Sequence, residues 1–243
     1  MASAPVADQH KLLDVQALDT QLAKLAHTRR SHPTIATVEE LSARAQDLDR
    51  AQVEASTAVA DARRAVSKAE TDVEQVRGRA ERDQQRLDTG AGSAKDMQAL
   101  AHELQSLAKR QSDLEEVELE AMEMLEQAES ALSAITTQRE ALTAQIETVT
   151  SQQQGAFAEL DQQLAQVSDQ RASAVQEIDT ALLALYDRVR ERTGGLAALR
   201  LRGVTTEPLQ IQLSLTEQAA IEAAPADEVI RSEDGYILIR VSD

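Results

Sequence analysis

From Lys11 onward, apolar residues recur at steps of three and four through Leu12, Val15, Leu18, Leu22 and Leu25. That spacing places one stripe on one helix face. The stripe stops before Ser31-His32-Pro33, because a residue ahead of proline is pushed out of the α region. A second pattern then runs to Asp88. One sevenfold row reads Val38, Ala45, Gln52, Val59, Val66, Val73, Ala80 and Leu87, and its companion reads Leu41, Leu48, Ala55, Ala62, Ala69 and Val76. Two such rows held in register predict a coiled coil rather than an ordinary globular helix. Thr89-Gly-Ala-Gly-Ser93 ends that helix. The sevenfold row resumes as Leu100, Leu107, Leu114, Ala121, Ala128, Ile135, Leu142 and Val149. A helix break is expected at Gln152-Gln-Gln-Gly155, after which the stripe continues from Leu160 through Leu182, Leu185 and Val189 to Thr193-Gly194-Gly195.

A link as short as Gly90 to Gly92 forces its flanking helices to run antiparallel. With the tip centred near residue 91.5, facing residue numbers sum to about 183, and the outer arm is roughly 80 Å long at 1.5 Å per residue. The first helix then lies against residues of about 154 to 176. The remainder changes character. Leu209, Ile211, Leu213 and Leu215 alternate with polar residues, which predicts a half-buried strand. Ser214-x-x-Glu217 has capping-box spacing ahead of a short helix ending near Ala224-Pro225. Val229-Ile230 and residues 236–241 flank Asp234-Gly235, a hairpin turn. The pattern therefore predicts a mainly α fold. Residues 1–195 form a long antiparallel coiled-coil hairpin, with its tip near 89–94 and a joint near 31–34 and 151–156. Residues 196–243 form a small α+β module, which at this size leans on the base of the hairpin.

Composition sharpens this. Of 243 residues, 42% are hydrophobic but only 1% are aromatic, too few rings for an ordinary globular core of this length. There is no cysteine, so no disulfide and no thiolate chemistry. No leader-like apolar segment opens the chain and no apolar run approaches the roughly 20 residues of a membrane helix, so a cytoplasmic protein is expected. The net charge of −17 repels nucleic acid at long range.

The tip sequence, with Lys95-Asp-Met-Gln-Ala-Leu-Ala-His-Glu-Leu-Gln-Ser-Leu-Ala-Lys-Arg110 and Leu114-Glu-Glu after it, resembles the bacterial coiled-coil-hairpin proteins that carry a C-terminal four-cysteine zinc ribbon, in their actinobacterial branch. Glu228-Val-Ile-Arg and Gly235-Tyr-Ile-Leu-Ile-Arg240 resemble the last strands of that ribbon. The resemblance implies zinc-ligand positions at Thr206, Leu209, Arg231 or Ser232, and Asp234. None is a cysteine, and a closed tetrahedral zinc site needs nitrogen or sulfur donors. The implied ribbon is degenerate and expected to hold no metal or other cofactor. The family implies non-enzymatic adaptors of regulatory or secretion-related proteins, some linked to RNA.

No catalytic motif stands out. His10, His27, His32 and His102 lack the spacing of a metal site, and the short Gly-rich pieces lack the Gly-Lys-Ser/Thr end of a phosphate loop. Two charge features remain. Asp113, Glu115, Glu116, Glu118, Glu120, Glu123, Glu126 and Glu129 form an acidic band with no intervening cation, either a receptor for a basic helix or a plain solvated face. At the tip, Arg77, Arg79, Arg82, Arg86, Lys95, Lys109 and Arg110 outnumber five acids, giving a local charge of +2 on an acidic chain. This patch either docks an acidic surface or phosphate, or is spent on intrahelical pairs. The stripe between Val167 and Val189 outruns the first helix and needs cover from the C-terminal module or from a second copy, so monomer and homodimer both stay open. The reading is a non-enzymatic protein-interaction adaptor with an unidentified protein partner. The alternative is an RNA-associated regulatory factor that uses the basic tip.

Overall fold

The computed structural model describes residues 3–90 and 92–241. Ala91 of the expected tip and the two residues at each end lie outside the described residues. The chain divides into two compact units, residues 36–150 and residues 1–35 with 151–243.

In the first unit, helix α2 (Pro33–Asp88) pairs with the first part of helix α3 (Ala94–Val175). The buried apolar side chains here are Leu41, Val59, Ala69 and Val73 from α2 and Leu107, Ala121 and Leu142 from α3. Each belongs to one of the sevenfold rows, so the coiled-coil expectation holds. Gly90 at φ 63° and Gly92 at φ 154° shape the turn between the helices, conformations that a β-carbon disfavours. Ser93 starts α3: its Oγ accepts from the Asp96 amide at 3.2 Å, while the Asp96 carboxylate accepts from the Ser93 amide at 3.0 Å and hydroxyl at 2.7 Å. Arg63 reaches Glu129 at 2.6 Å, and Arg139 pairs with Asp49. These partners lie nine and five residues beyond the positions that a centre at 91.5 sets opposite, and Arg77 with Glu115 again lies nine beyond, so the facing residues over this stretch sum to more than the expected 183.

The second unit holds helix α1 (Val6–Arg30), α3 from residue 151, helix α4 (Thr180–Thr193), helix α5 (Leu215–Ala223) and a four-stranded sheet. The strands are β1 (Ala198–Arg202), β2 (Thr205–Glu207), β3 (Ile230–Arg231) and β4 (Ile237–Arg240), in the order β2-β1-β4-β3. β1 and β4 are parallel; the other pairs are antiparallel. One face of the sheet packs with Leu12 and Val15 of α1 and Leu182, Tyr186 and Val189 of α4. Leu199, Leu201, Leu213 and Leu238 form a second cluster. The expected cut between residues 195 and 196 therefore does not divide the molecule, since the strands share a core with α1 and α4. The apolar stripe through Val189 is covered by this core.

Two local expectations are corrected. Gly155 does not break α3, because the roughly 1 kcal/mol that an interior glycine costs is outweighed by the helix around it. The interruption instead falls at 176–179, where Asp179 accepts from the amides of Ala181 and Leu182 at 2.9 and 3.0 Å and so begins α4. Residues 209–214 form no strand: the Ile211 amide donates to Thr206 Oγ1 at 2.9 Å, folding the segment back, and Leu215 opens α5 at 83% exposure. The Ser214–Glu217 capping box and the hairpin at Asp234-Gly235 form as expected, and Gly194 in the left-handed region caps α4.

A buried carboxylate organises this unit. Asp19, 1% exposed, accepts two bonds from Arg171 at 2.6 and 3.2 Å, one from the Tyr186 hydroxyl at 2.9 Å, and pairs with Arg190 at 3.2 Å. Beside it Gln16 accepts from the amides of Ala197 and Ala198 at 2.6 and 3.1 Å, tying α1 to the start of β1. Removing one member of a buried charge pair strands the others and costs about 3–5 kcal/mol. Asp19→Ala is expected to lower stability by about 3 kcal/mol in urea unfolding, and Tyr186→Phe by about 1 kcal/mol.

Candidate functional site

The seven tip cations are all exposed, but they divide into two groups. Arg79 bridges to Glu103 at 2.8 Å, joining α2 to α3, and Arg77 approaches Glu115 at 3.6 Å. Asp83 sits between Arg79 and Arg86 at 3.8 and 3.7 Å. Arg82, Lys95, Lys109 and Arg110 form no ion pair among the described residues. The intrahelical pairing that would consume the patch thus takes up only part of it. Asp96 is held below the usual carboxylate range by its hydrogen bonds from Ser93, with a smaller contribution from Arg86, so its charge is committed to the helix start.

In the acidic band, Glu115 meets Arg77 and Gln111, and Glu129 meets Arg63. The other six acids of the band have no cation within salt-bridge distance among the described residues. Four large apolar side chains lie exposed among them: Val117 (50%), Leu119 (62%), Met122 (49%) and Met124 (65%). They occupy positions outside the sevenfold rows, which is why a search for the seam passes over them.

The four positions that the resemblance assigns to zinc are occupied by hydrogen-bonding or exposed groups. Thr206 is fully buried; its hydroxyl donates to the Leu209 carbonyl at 2.7 Å and accepts from the Ile211 amide. Ser232 is buried and accepts from the Tyr236 amide at 3.1 Å, whereas Arg231 and Asp234 are exposed and Leu209 is 41% exposed. No group of three potential metal ligands occurs among the described residues. Burial raises the Tyr186 hydroxyl far above its ordinary range, aided by its bond to Asp19. The phenol therefore stays protonated and serves as a donor. Among the histidines, His10 meets the Arg240 carbonyl at 2.9 Å and His32 lies edge-on to Phe157.

A groove of about 620 Å³ runs between α4, α5 and β3, lined by Leu185, Ile221, Val229 and Ile230, with Glu217 at its side. Glu217 is engaged by the Ser214 and Glu233 amides, which hold its carboxyl below the ordinary range. The groove contains no nucleophile paired with a base. No helix among the described residues is long and apolar enough to cross a membrane.

The CT398-like coiled coil hairpin domain matches residues 15–194. The chain belongs to that family. Two uncharacterized proteins of Mycobacterium tuberculosis, from strains CDC 1551 and H37Rv, are 35% identical over 239 residues, covering 98% of this chain and 97% of theirs. A solved structure from Mycobacterium smegmatis is 32% identical, with a TM-score of 0.85 over 99% of this chain and 100% of that one. CT398 from Chlamydia trachomatis shares the fold at 13% identity, with a TM-score of 0.70 over 97% of this chain and 98% of its own.

Two outcomes follow from the Thr206 and Ser232 geometry. Thr206→Val strands the Leu209 carbonyl and the Ile211 amide, so thermal or urea unfolding should show a loss of about 1–3 kcal/mol. Metal analysis of the purified protein should find zinc well below one equivalent; a tightly held stoichiometric ion would contradict the donor set.

Proposed function

We propose that this member of the CT398-like hairpin family is a non-enzymatic, cytoplasmic protein-interaction adaptor, and that its C-terminal strands are a zinc-ribbon-like module whose ligands have been replaced. The observation that carries the adaptor reading is the set of four exposed cations, Arg82, Lys95, Lys109 and Arg110, that form no ion pair among the described residues, on the helices flanking the turn of a chain whose net charge is −17. Like charges gathered on an otherwise acidic surface cost a little stability and contribute nothing to the seam. They favour encounter with an acidic partner surface, for which electrostatic steering raises the association rate.

The test is capture of partners from native lysate on the tagged protein, with and without nuclease. The adaptor reading expects a protein recovered equally in both arms. Arg82→Glu with Arg110→Glu should reduce its recovery by on the order of tenfold, because reversing two contact charges alters both approach and retention. Recovery that collapses with nuclease would transfer the tip to an RNA-binding role, and recovery unchanged by the double reversal would remove the tip from the interaction.

A further inference from the structure

The exposed face of α3 changes sign midway along its length. Lys95, His102 and Lys109 follow one another at steps of seven, and the same face continues at steps of four, three and four through Asp113, Glu116 and Glu120. All six are exposed, and none has an ion pair among the described residues. Lys109 and Asp113 stand four residues apart on one helix, yet no salt bridge joins them. The positive half and the negative half are therefore both available, and they meet near residue 111.

Such a stripe is complementary to itself when reversed. If a second α3 runs antiparallel against it about a two-fold axis at residue 111, Lys109 faces the second copy's Asp113, and His102 faces the second copy's Glu120. By symmetry each contact occurs twice, as a closed isologous interface requires. Ala99 and Ser106 on the same face are small and exposed, and the same operation sets Ser106 against the second copy's Glu116 and Ala99 against its Glu123, so no like charges oppose each other along this stripe.

We propose that the outward face of α3 between residues 95 and 127 is a homodimer interface, and that its occupant is the same face of a second copy of this chain, antiparallel. The contact spans roughly 50 Å of helix at 1.5 Å per residue. It goes beyond the adaptor reading and does not depend on it: Lys95 and Lys109 are shared by the two surfaces, and a dimer would leave Arg82 and Arg110 for a heterologous partner.

Sedimentation equilibrium of the full chain in low salt, at up to roughly 50 μM, tests the proposal in a range where micromolar contacts are populated. The wild type should be a concentration-dependent dimer whose dissociation constant rises with salt, as expected for charges exposed to solvent. Lys109→Glu should weaken the dimer tenfold or more. The charge swap Lys109→Glu with Asp113→Lys should restore it, because each introduced charge then meets its opposite on the second copy. Circular dichroism verifies that both variants keep the helix content of the wild type. A wild type that stays monomeric throughout, a dimer indifferent to Lys109→Glu, or a double variant that remains as weak as the single one would each overturn the interface. The adaptor reading is tested apart from this by Arg82→Glu with Arg110→Glu, which lie outside the charged stripe, so the two readings fail separately.

Discussion

The seam between α2 and α3 is made from small and medium side chains, and none of its buried members is larger than leucine. A two-helix layer has only one face of each helix to bury, so its stability depends on keeping that row apolar for many consecutive turns. This constraint decides what the remaining surface can do. Everything off the seam is open to solvent, and its charges need not be paired for the unit to fold. The cross-helix arginines, Arg63 to Glu129 and Arg79 to Glu103, are exposed pairs of the kind worth at most about 1 kcal/mol each. They set slant and register more than they add stability.

The unit built from residues 1–35 and 151–243 depends on a different device. Asp19 of α1 gathers two arginines and a tyrosine from two further helices, α3 and α4, and Gln16 binds the chain as it enters β1. A mixed helix and sheet core of this size has few large side chains: Tyr186 is its single fully buried ring. Directional bonds to a buried anion compensate by permitting only one arrangement of the helices. The same economy holds at Thr206 and Ser232, where hydroxyls close two turns with hydrogen bonds.

What was legible in the sequence followed from period. Sevenfold rows report directly on the seam, and capping residues such as Ser214 and Gly194 report on helix ends through chemistry that is local to a few residues. The misreadings were nonlocal or weighed the wrong competitor. The intrinsic cost of Gly155 is visible in the sequence, while the cooperative length of α3 that overrides it is not. The alternation at Leu209 to Leu215 imitated a strand; the bond from Ile211 to Thr206 that folds it into a loop has no periodic signature. Asp19 and Gln16 lie on a helix face that looks solvated until α4 and β1 cover it. Of the interaction surface, the cations were readable as residues, but which of them remain unpaired was not. That depends on whether an acid such as Glu103 or Asp83 stands within reach on the folded helices.

Unpaired charge as binding surface is the central claim, and lysine-reactive cross-linking in intact cells tests it most directly. The chain has five lysines, Lys11, Lys24, Lys68, Lys95 and Lys109. Mass spectrometry of the cross-linked peptides should find intermolecular links concentrated at Lys95 and Lys109, with few at Lys24 and Lys68. Links gathered at Lys24 or Lys68, with Lys95 and Lys109 reacting only as dead ends, would contradict the account.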